Sequence, residues 1–350
     1  MDIKEILKKS DRIGILTKKN ANNDAIGASL ALFFALREAG KKACFPSKNI
    51  PEEIFSFAKN EENKKFQISF NEDVSEVYYE KKEKGIVIYL TPKDKNIDDE
   101  RFSCKIISKN NFFSSEYDIL VTIGIDDFKE VENLCGPDEL FNCTIINIDN
   151  KTDNQNYGEI NIIKVDQSLS QTIACLLKDI EEYKNQEANN FLLYGLAFSN
   201  KKTDNDKKIN TIKWLLKNGG NLSLFSKEQE KNKLLEIVLK NLDCKKNIYI
   251  STVSESEFDD SKTTSKSLGL VVEKLKNFLN ISSFFILWET KSSISTIKGL
   301  FYTNKKYIVN KINNNFEGSY KEKGGIFLTE EYKINIAKEK IISYLNYGNN

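Results

Sequence analysis

Residues 12–29 read RIGILTKKNANNDAIGAS, and their order indicates how the first half of the chain folds. An apolar run at residues 12–17 is followed by a polar turn, and apolar residues then recur at helical spacing over residues 25–39. Gly40 ends this pattern, as glycine commonly does just beyond a helix. The segment therefore predicts a strand, a turn and a helix, which together form the repeating unit of α/β domains.

Three further runs are mostly apolar and lack the strict apolar/polar alternation of a half-exposed strand, as in strands that are covered on both faces of a parallel sheet. They lie at residues 85–90, 117–123 and 143–148. Helical patterns follow them at residues 168–182, 188–198 and 209–218. We therefore predict an N-terminal α/β domain with a parallel sheet over residues 1–200.

The rest of the chain predicts a second, smaller α/β domain. A chain of 350 residues is long enough to bury two cores. Residues 201–243 read as a helical linker, and residues 244–350 as the second domain. Its predicted elements are strands at 247–253, 283–289 and 293–302 and helices at 265–279 and 330–345.

Composition excludes several functional classes. Lys and Arg number 52 and Asp and Glu 51, so the net charge of +1 gives no overall field towards nucleic acid or membrane. The chain has no histidine, which excludes a histidine triad and a histidine-bearing metal site. No apolar stretch approaches the ~20 residues of a membrane span. We therefore predict a cytoplasmic protein with no membrane partner.

The six cysteines contain no C-x-x-C pair, and several lie inside apolar runs. They are residues 44, 104, 135, 143, 175 and 244. This distribution predicts reduced core residues, rather than a zinc site or a disulfide framework.

The turn at residues 17–29 resembles the first motif of the DHH phosphoesterases, a histidine followed by a turn that contains two aspartates. Lys18 stands at the histidine position, Asn22 at the first aspartate and Asp24 at the second. Three later segments resemble the remaining motifs in the family's order. The second motif places Gly124 at its ligand position, with Asp126 and Asp127 just beyond it. In the third motif, Asp149, Asn150 and Lys151 stand where the family has Asp-His-His. Ser199 stands at the ligand position of the fourth motif.

Residues 316–325, FEGSYKEKGG, resemble the Gly-Gly-Gly-His loop of the family's substrate-binding domain, DHHA1. Gly318, Gly324 and Gly325 match its glycines, and Tyr320 stands at the histidine position. The resemblance thus implies a DHH-like first domain and a DHHA1-like second domain.

The resemblance also implies hydrolysis of phosphodiesters with two Mn²⁺ ions, held about 4 Å apart by carboxylates and imidazoles. Most of those ligands are replaced here, so we predict no catalytic residue, no metal site and no cofactor. A lysine amine can supply part of the missing positive charge, pair with Asp24 or Asp149 and still attract phosphate. The predicted ligand-binding residues are Lys18, Asn22, Asp24, Asp149, Asn150, Lys151, Gly318, Ser319, Tyr320, Gly324 and Gly325.

Purely structural roles remain open for the same residues. One alternative is that the role of Asp24 is simply to cap the N-terminus of the helix that begins at residue 25. Asp149 can simply stabilise the turn after its strand. Lys18 and Lys151 can be solvated turn residues, and Asp126 and Asp127 can be exposed loop acids. The glycine loop near residue 320 can be simply a turn.

We interpret the chain as a phosphoesterase-like protein without catalytic activity. It would bind a nucleotide, a short single-stranded oligonucleotide or a protein partner in the cleft between its domains. One alternative is an active metal-dependent phosphodiesterase that acts on short oligonucleotides or cyclic dinucleotides. Another is a structural or assembly subunit.

Overall fold

The structure is a computed structural model that describes residues 3–45, 65–70, 73–82, 85–93, 102–107, 117–135, 140, 143–180, 185–199, 204–222, 229–245, 248–279, 281–290 and 296–346. Its strands are β1 (Arg12–Thr17), β2 (Lys42–Cys44), β3 (Lys65–Phe70), β4 (Val74–Lys82), β5 (Gly85–Pro92), β6 (Phe102–Ile107), β7 (Ile119–Ile123), β8 (Thr144–Asp149), β9 (Ile160–Ile163), β10 (Asp243–Lys245), β11 (Ile248–Val253), β12 (Ser283–Glu289), β13 (Ile297–Thr303), β14 (Gly318–Lys321) and β15 (Gly324–Leu328). Its helices are α1 (Ile3–Lys9), α2 (Asn23–Glu38), α3 (Phe128–Leu134), α4 (Leu169–Lys178), α5 (Gln186–Phe198), α6 (Asn205–Lys217), α7 (Gln229–Lys240), α8 (Glu255–Asp260), α9 (Leu268–Phe278), α10 (Lys306–Asn315) and α11 (Ile334–Asn346).

The chain divides into two compact units. The larger unit contains Met1–Asn49 and Ser115–Asn350, and the smaller unit is Ile50–Ser114. The larger unit contains a five-stranded sheet and a six-stranded sheet. The domain limits predicted from the sequence stay a prediction.

The first sheet has the strand order β2-β1-β7-β8-β9, and all four pairings are parallel. The apolar runs in β1, β7 and β8 form its buried centre. Helix α2 packs against α5, with the rings of Phe34 and Phe191 stacked at 5.3 Å. Gly27 permits this approach, because a Cβ atom there would lie 2.6 Å from the backbone oxygen of Phe191.

The second sheet has the order β10-β11-β12-β13-β15-β14, in which only β11 and β12 pair in parallel. Phe285, Phe301 and Phe327 from its central strands belong to a buried cluster that also includes residues of α10 and α11. The two sheets with their helices confirm the predicted α/β fold class.

Helix α6 is bonded to the second sheet at several points. Tyr249 on β11 donates its hydroxyl proton to Asp206, with 2.7 Å between the oxygens. The Lys213 amine lies 2.8 Å from the carbonyl oxygen of Leu242 and 3.2 Å from the carboxylate of Asp243. These bonds tie α6 to the start of the second sheet.

The smaller unit contains two antiparallel strand pairs, β3 with β6 and β4 with β5. The prediction that residues 85–90 form a strand of the buried parallel sheet is therefore wrong. β5 is a strand, but it pairs with β4 and leaves Ile88 and Tyr89 nearly half exposed. Its composition favours a strand, and composition does not select the neighbouring strand.

The prediction that the cysteines are core residues holds for some of them. Cys44, Cys135 and Cys143 are buried, Cys244 is half-buried and Cys175 is exposed, so Cys175 is not the core residue that we predicted. The side chain of Cys104 lies outside the described residues. Within the described ranges, no helix combines the length and apolar character needed to cross a membrane.

Candidate functional site

The loops that follow β1, β7 and β8 meet at one edge of the first sheet, because these neighbouring strands are parallel. Four charged side chains come together there. The Lys18 amine forms an ion pair with the carboxylate of Asp126, and the Lys151 amine lies 2.8 Å from the second oxygen of that carboxylate. The Lys18 amine also lies 3.2 Å from the Glu130 carboxylate. Asp126 thus bridges two lysines.

The prediction that these lysines pair with Asp24 or Asp149 is therefore wrong. The bridging acid is Asp126, whose side chain is only 20% exposed and so is not an exposed loop acid. The neighbouring acid has a different role, since the Asp127 side chain accepts the backbone N–H of Lys129 and caps α3.

The bridge fixes the charge of its members. Burial acts to raise the pKa of Asp126, but hydrogen bonds from Lys151 and Lys18 outweigh it and hold that pKa at about 2. Burial acts to lower the pKa of Lys18, but hydrogen bonds to Asp126 and Glu130 outweigh it, and the pKa is raised. Asp126 is therefore anionic and Lys18 cationic at neutral pH.

Asp24 lies in the first turn of α2 and is only 4% exposed. Its two carboxylate oxygens accept the backbone N–H groups of Leu169 and Ser170, the first two residues of α4, each at 2.9 Å. Asp24 therefore caps α4, and the alternative that it caps its own helix is wrong. Asn22 caps α2 by accepting the N–H of Ala25.

Burial raises the pKa of Asp24, while the hydrogen bonds from α4 and the charge of Lys208 act to lower it. Lys208 on α6 is 6% exposed, and its amine lies 5.4 Å from the centre of the Phe278 ring. Burial lowers the pKa of Lys208 to about 8, against the attraction of Asp24. No sequence signal distinguishes this lysine, because lysine is common along the helices of this chain.

Asp149 is buried in a network of amide groups. One carboxylate oxygen accepts the backbone N–H of Asn150, and the other accepts the side-chain amide of Asn154, both at 2.8 Å. The amide of Asn150 donates to the carbonyl oxygen of Gln167. Asn154 also donates to the carbonyl oxygen of Ile125, so it ties the loops after β7 and β8 together. Sequence reasoning did not identify Asn154.

These residues do not fit a pair of Mn²⁺ ions. Such a pair needs several carboxylate or imidazole ligands directed at a shared point. Here Asp24 is bound by backbone N–H groups, Asp149 by amides and Asp126 by lysines. In the part of the chain that the structure describes, no three Asp, Glu or Cys side chains are grouped so that they could hold a metal ion.

The other predicted residues lie in the second sheet. Gly318, Ser319 and Tyr320 belong to β14, and Gly324 and Gly325 to β15. The two strands are antiparallel neighbours, with the residue pairs running from 318 and 327 to 321 and 324. The Tyr320 hydroxyl donates to the carbonyl oxygen of Phe316 at 2.6 Å. A cavity of about 760 Å³ lies beside Gly318 and Tyr320.

Comparison with known proteins gives similarity in structure alone. No protein-family model matches the chain. No curated protein sequence matches it either. Among solved structures, an exopolyphosphatase-related protein from Bacteroides fragilis is 15% identical with a TM-score of 0.40, and the match covers 97% of this chain and 92% of that one.

A putative family II inorganic pyrophosphatase from Methanococcus jannaschii is also 15% identical, with a TM-score of 0.33 and coverage of 95% and 99%. RecJ from Thermus thermophilus, in complex with Mn²⁺, is 10% identical with a TM-score of 0.25, and the match covers 97% of this chain and 53% of that one. At these identities and TM-scores the similarities carry no argument about the activity of this chain.

Proposed function

We propose that the protein is a phosphoesterase-like binding protein that lacks metal-dependent hydrolysis. Its ligand is a nucleotide or a short single-stranded oligonucleotide, bound at the edge of the first sheet where Lys18 and Lys151 lie. The observation that carries this proposal is that Asp126 bridges the two lysines. Their ammonium groups thus stand at positions where a two-metal hydrolase would need side chains that bind metal ions.

The state of the carboxylates supports the absence of hydrolysis. A metal ion at this edge would have to displace Lys18 and Lys151 from Asp126, or remove Asp24 from the N-terminus of α4. Removing Asp24 would leave buried N–H groups unbonded, which costs about 1–3 kcal/mol for each group. An ammonium group does not lower the pKa of a bound water as a metal ion does, so the proposed site has no source of hydroxide.

The lysines support binding of a phosphate group. Their side chains are 26% and 46% exposed, so a ligand can reach them from solvent. A phosphate oxygen accepts the same charge-assisted hydrogen bonds as a carboxylate oxygen. The ligand would therefore compete with Asp126 for the two amines, and this competition predicts modest affinity. Gly318, Ser319, Tyr320, Gly324 and Gly325 stay predicted contacts of the same ligand.

The first test is a calorimetric titration of the full chain with Mn²⁺, followed in the same cell by a short single-stranded oligonucleotide. We expect no heat from specific Mn²⁺ binding and a measurable heat with the oligonucleotide. The affinity should fall as salt is raised, because lysine–phosphate contacts release counterions. Tight binding of two Mn²⁺ ions, with cleavage of the oligonucleotide, would instead indicate an active phosphodiesterase.

A charge variant tests the position of the site. The double substitution Lys18→Gln and Lys151→Gln should weaken oligonucleotide binding by at least about tenfold, or about 1.4 kcal/mol. The double substitution Lys129→Gln and Lys178→Gln is the matched control, because it also removes two positive charges, from exposed positions on α3 and α4. Equal losses in the control and in the Lys18→Gln, Lys151→Gln variant would contradict this site. If the wild-type chain bound no oligonucleotide, the alternative of a structural or assembly subunit would be favoured.

A further inference from the structure

A cavity of about 690 Å³ lies beside the second sheet, at the end of the sheet where β11 and β12 both finish. Glu255, at the start of α8 just after β11, and Thr290, directly after β12, both line it. β11 and β12 are parallel, and the chain passes between them through α8 and α9. In parallel α/β sheets, ligands bind in the crevice outside the carboxyl ends of the strands. The volume lies within the range of about 300–1,000 Å³ that is typical of small-molecule sites.

One wall of the cavity is apolar. Leu300 on β13 lies directly opposite Ile326 on β15, and Trp288 on β12 shares their face of the sheet. Phe258 of α8 and Leu268 of α9 extend this wall. Nucleobases stack on aromatic side chains and lose little by leaving water. The wall therefore suits a flat, largely apolar group such as a base.

Two lysines supply positive charge to the cavity, Lys266 in the turn before α9 and Lys298 on β13. Within the described residues, neither amine forms an ion pair or a hydrogen bond. They differ in this from Lys18 and Lys151, which share Asp126. A phosphate group in the cavity would gain charge-assisted hydrogen bonds from both amines without displacing a carboxylate. The N-terminus of α9 also lies at the cavity, and its partial positive charge attracts the same group.

Three carboxylates, those of Glu255, Asp259 and Glu289, line the cavity as well. They outnumber the two lysines, so the charge of the cavity disfavours a ligand that carries several phosphate groups. Carboxylate oxygens accept hydrogen bonds from ribose hydroxyls in many nucleotide sites. The lining therefore favours a ligand that combines an apolar base, hydroxyl donors and a single phosphate group.

We propose that this cavity is a second ligand site, which binds a ribonucleoside monophosphate. The base lies against Trp288, Leu300 and Ile326. The phosphate group contacts Lys266 and Lys298, and the ribose hydroxyls donate to the carboxylates. All residues that line the cavity belong to the second sheet and its helices. The site is therefore separate from the edge of the first sheet and does not depend on the function proposed for that edge.

The test is a titration of the full chain with adenosine monophosphate (AMP), followed through the fluorescence of Trp288. The chain has two tryptophans, and Trp214→Phe removes the other one, which lies on α6 outside the cavity. We expect a saturable change in fluorescence with AMP. Adenosine, which lacks the phosphate group, and adenosine triphosphate, which adds negative charge, should each bind more weakly. Deoxyadenosine monophosphate should also bind more weakly, because it lacks one ribose hydroxyl.

A charge variant tests the lysines. Lys266→Gln together with Lys298→Gln should raise the dissociation constant for AMP at least about tenfold. The double substitution Lys306→Gln and Lys333→Gln is the matched control, because it also removes two positive charges, from exposed positions in α10 and just before α11. The control should bind AMP as the wild type does.

A wild-type chain that binds AMP no more tightly than about 1 mM would overturn the proposal. Equal losses in the control and in the Lys266→Gln, Lys298→Gln variant would also overturn it, as would equal affinity for AMP and its deoxy form. The Lys18→Gln, Lys151→Gln variant separates the two sites. It should keep AMP binding, and loss of that binding would place AMP at the edge of the first sheet and overturn the proposal.

Discussion

Replacing Lys208 by methionine should stabilise the folded protein. Lys208 is nearly fully buried on α6, with its amine over the ring of Phe278. Methionine has similar length, carries no charge and adapts to irregular packing. The substitution therefore removes the desolvation cost of the ammonium group and keeps most of the packing.

The magnitude follows from the pKa. Burial lowers the pKa of Lys208 from 10.5 to about 8, and a tenfold change in an acid constant corresponds to about 1.4 kcal/mol. Below pH 8 the charged amine thus reduces the free energy of unfolding by about 3 kcal/mol. This figure already includes the attraction of Asp24, so we expect a gain of about 3 kcal/mol at pH 7 in the variant.

The gain should depend on pH in a defined direction. Between about pH 8 and 10.5 the folded protein has released the Lys208 proton and the unfolded chain still holds it, so the stability of the wild type rises with pH. The difference between the wild type and Lys208→Met should therefore shrink across this range. Groups that titrate alike in both proteins cancel in the difference.

Urea denaturation at pH 7 and pH 9.5 measures the gain in stability of Lys208→Met and its decrease with rising pH. Lys207→Met is the matched control, because Lys207 is 55% exposed and its ion pair with Asp166 is long, at 3.4 Å. It should change the stability by no more than about 0.5 kcal/mol. A Lys208→Met variant less stable than the wild type at pH 7, or a difference that is constant with pH, would refute the reasoning.

Three further substitutions test the first sheet and its edge. Asp126→Asn should lower the free energy of unfolding at pH 7 by about 1–3 kcal/mol in urea denaturation. This deficit should vanish as pH falls through about 2, where wild-type Asp126 takes up its proton. Because the substitution frees two amines, it should also tighten oligonucleotide binding in calorimetry, and weaker binding would contradict the proposed site. Asp24→Ala should cost about 2–3 kcal/mol and speed hydrogen exchange at the start of α4, and unchanged exchange would show that the cap is dispensable. Gly27→Ala should lower the thermal midpoint through a cost of about 1–3 kcal/mol. Gly269→Ala lies in α9, where an added Cβ atom meets nothing within 4 Å, and should raise the midpoint slightly, because alanine favours a helix over glycine by up to about 1 kcal/mol.

The first sheet could be predicted because its central strands are mostly apolar runs joined by helical segments. β5 shows where this reasoning stops. Its residues favour a strand as strongly as those of β7, but the choice between a buried parallel sheet and an exposed antiparallel ribbon depends on contacts with distant segments.

The position of the candidate site could be predicted, but the partners of its charged side chains could not. Parallel strands place their following loops at one edge, so Lys18 and Lys151 could be expected to lie near each other. Their shared acid, Asp126, lies in the loop after β7, and its side-chain direction depends on how that loop turns. The role of Asp24 is set by α4, 145 residues further along the chain, which no local pattern reveals.

The cap that Asp24 places on α4 also has a consequence for synthesis on the ribosome. Until residues 169 and 170 leave the exit tunnel, the native hydrogen-bond partners of this buried carboxylate do not exist. Burying a carboxyl group without hydrogen-bond partners is unfavourable whether or not it is charged, so the final packing of α2 is disfavoured before then. Helix α2 should therefore reach its final packing late in the synthesis of the first sheet and its helices, after α4 has emerged. A nascent chain stalled before α4 emerges should accordingly leave α2 open to proteolysis.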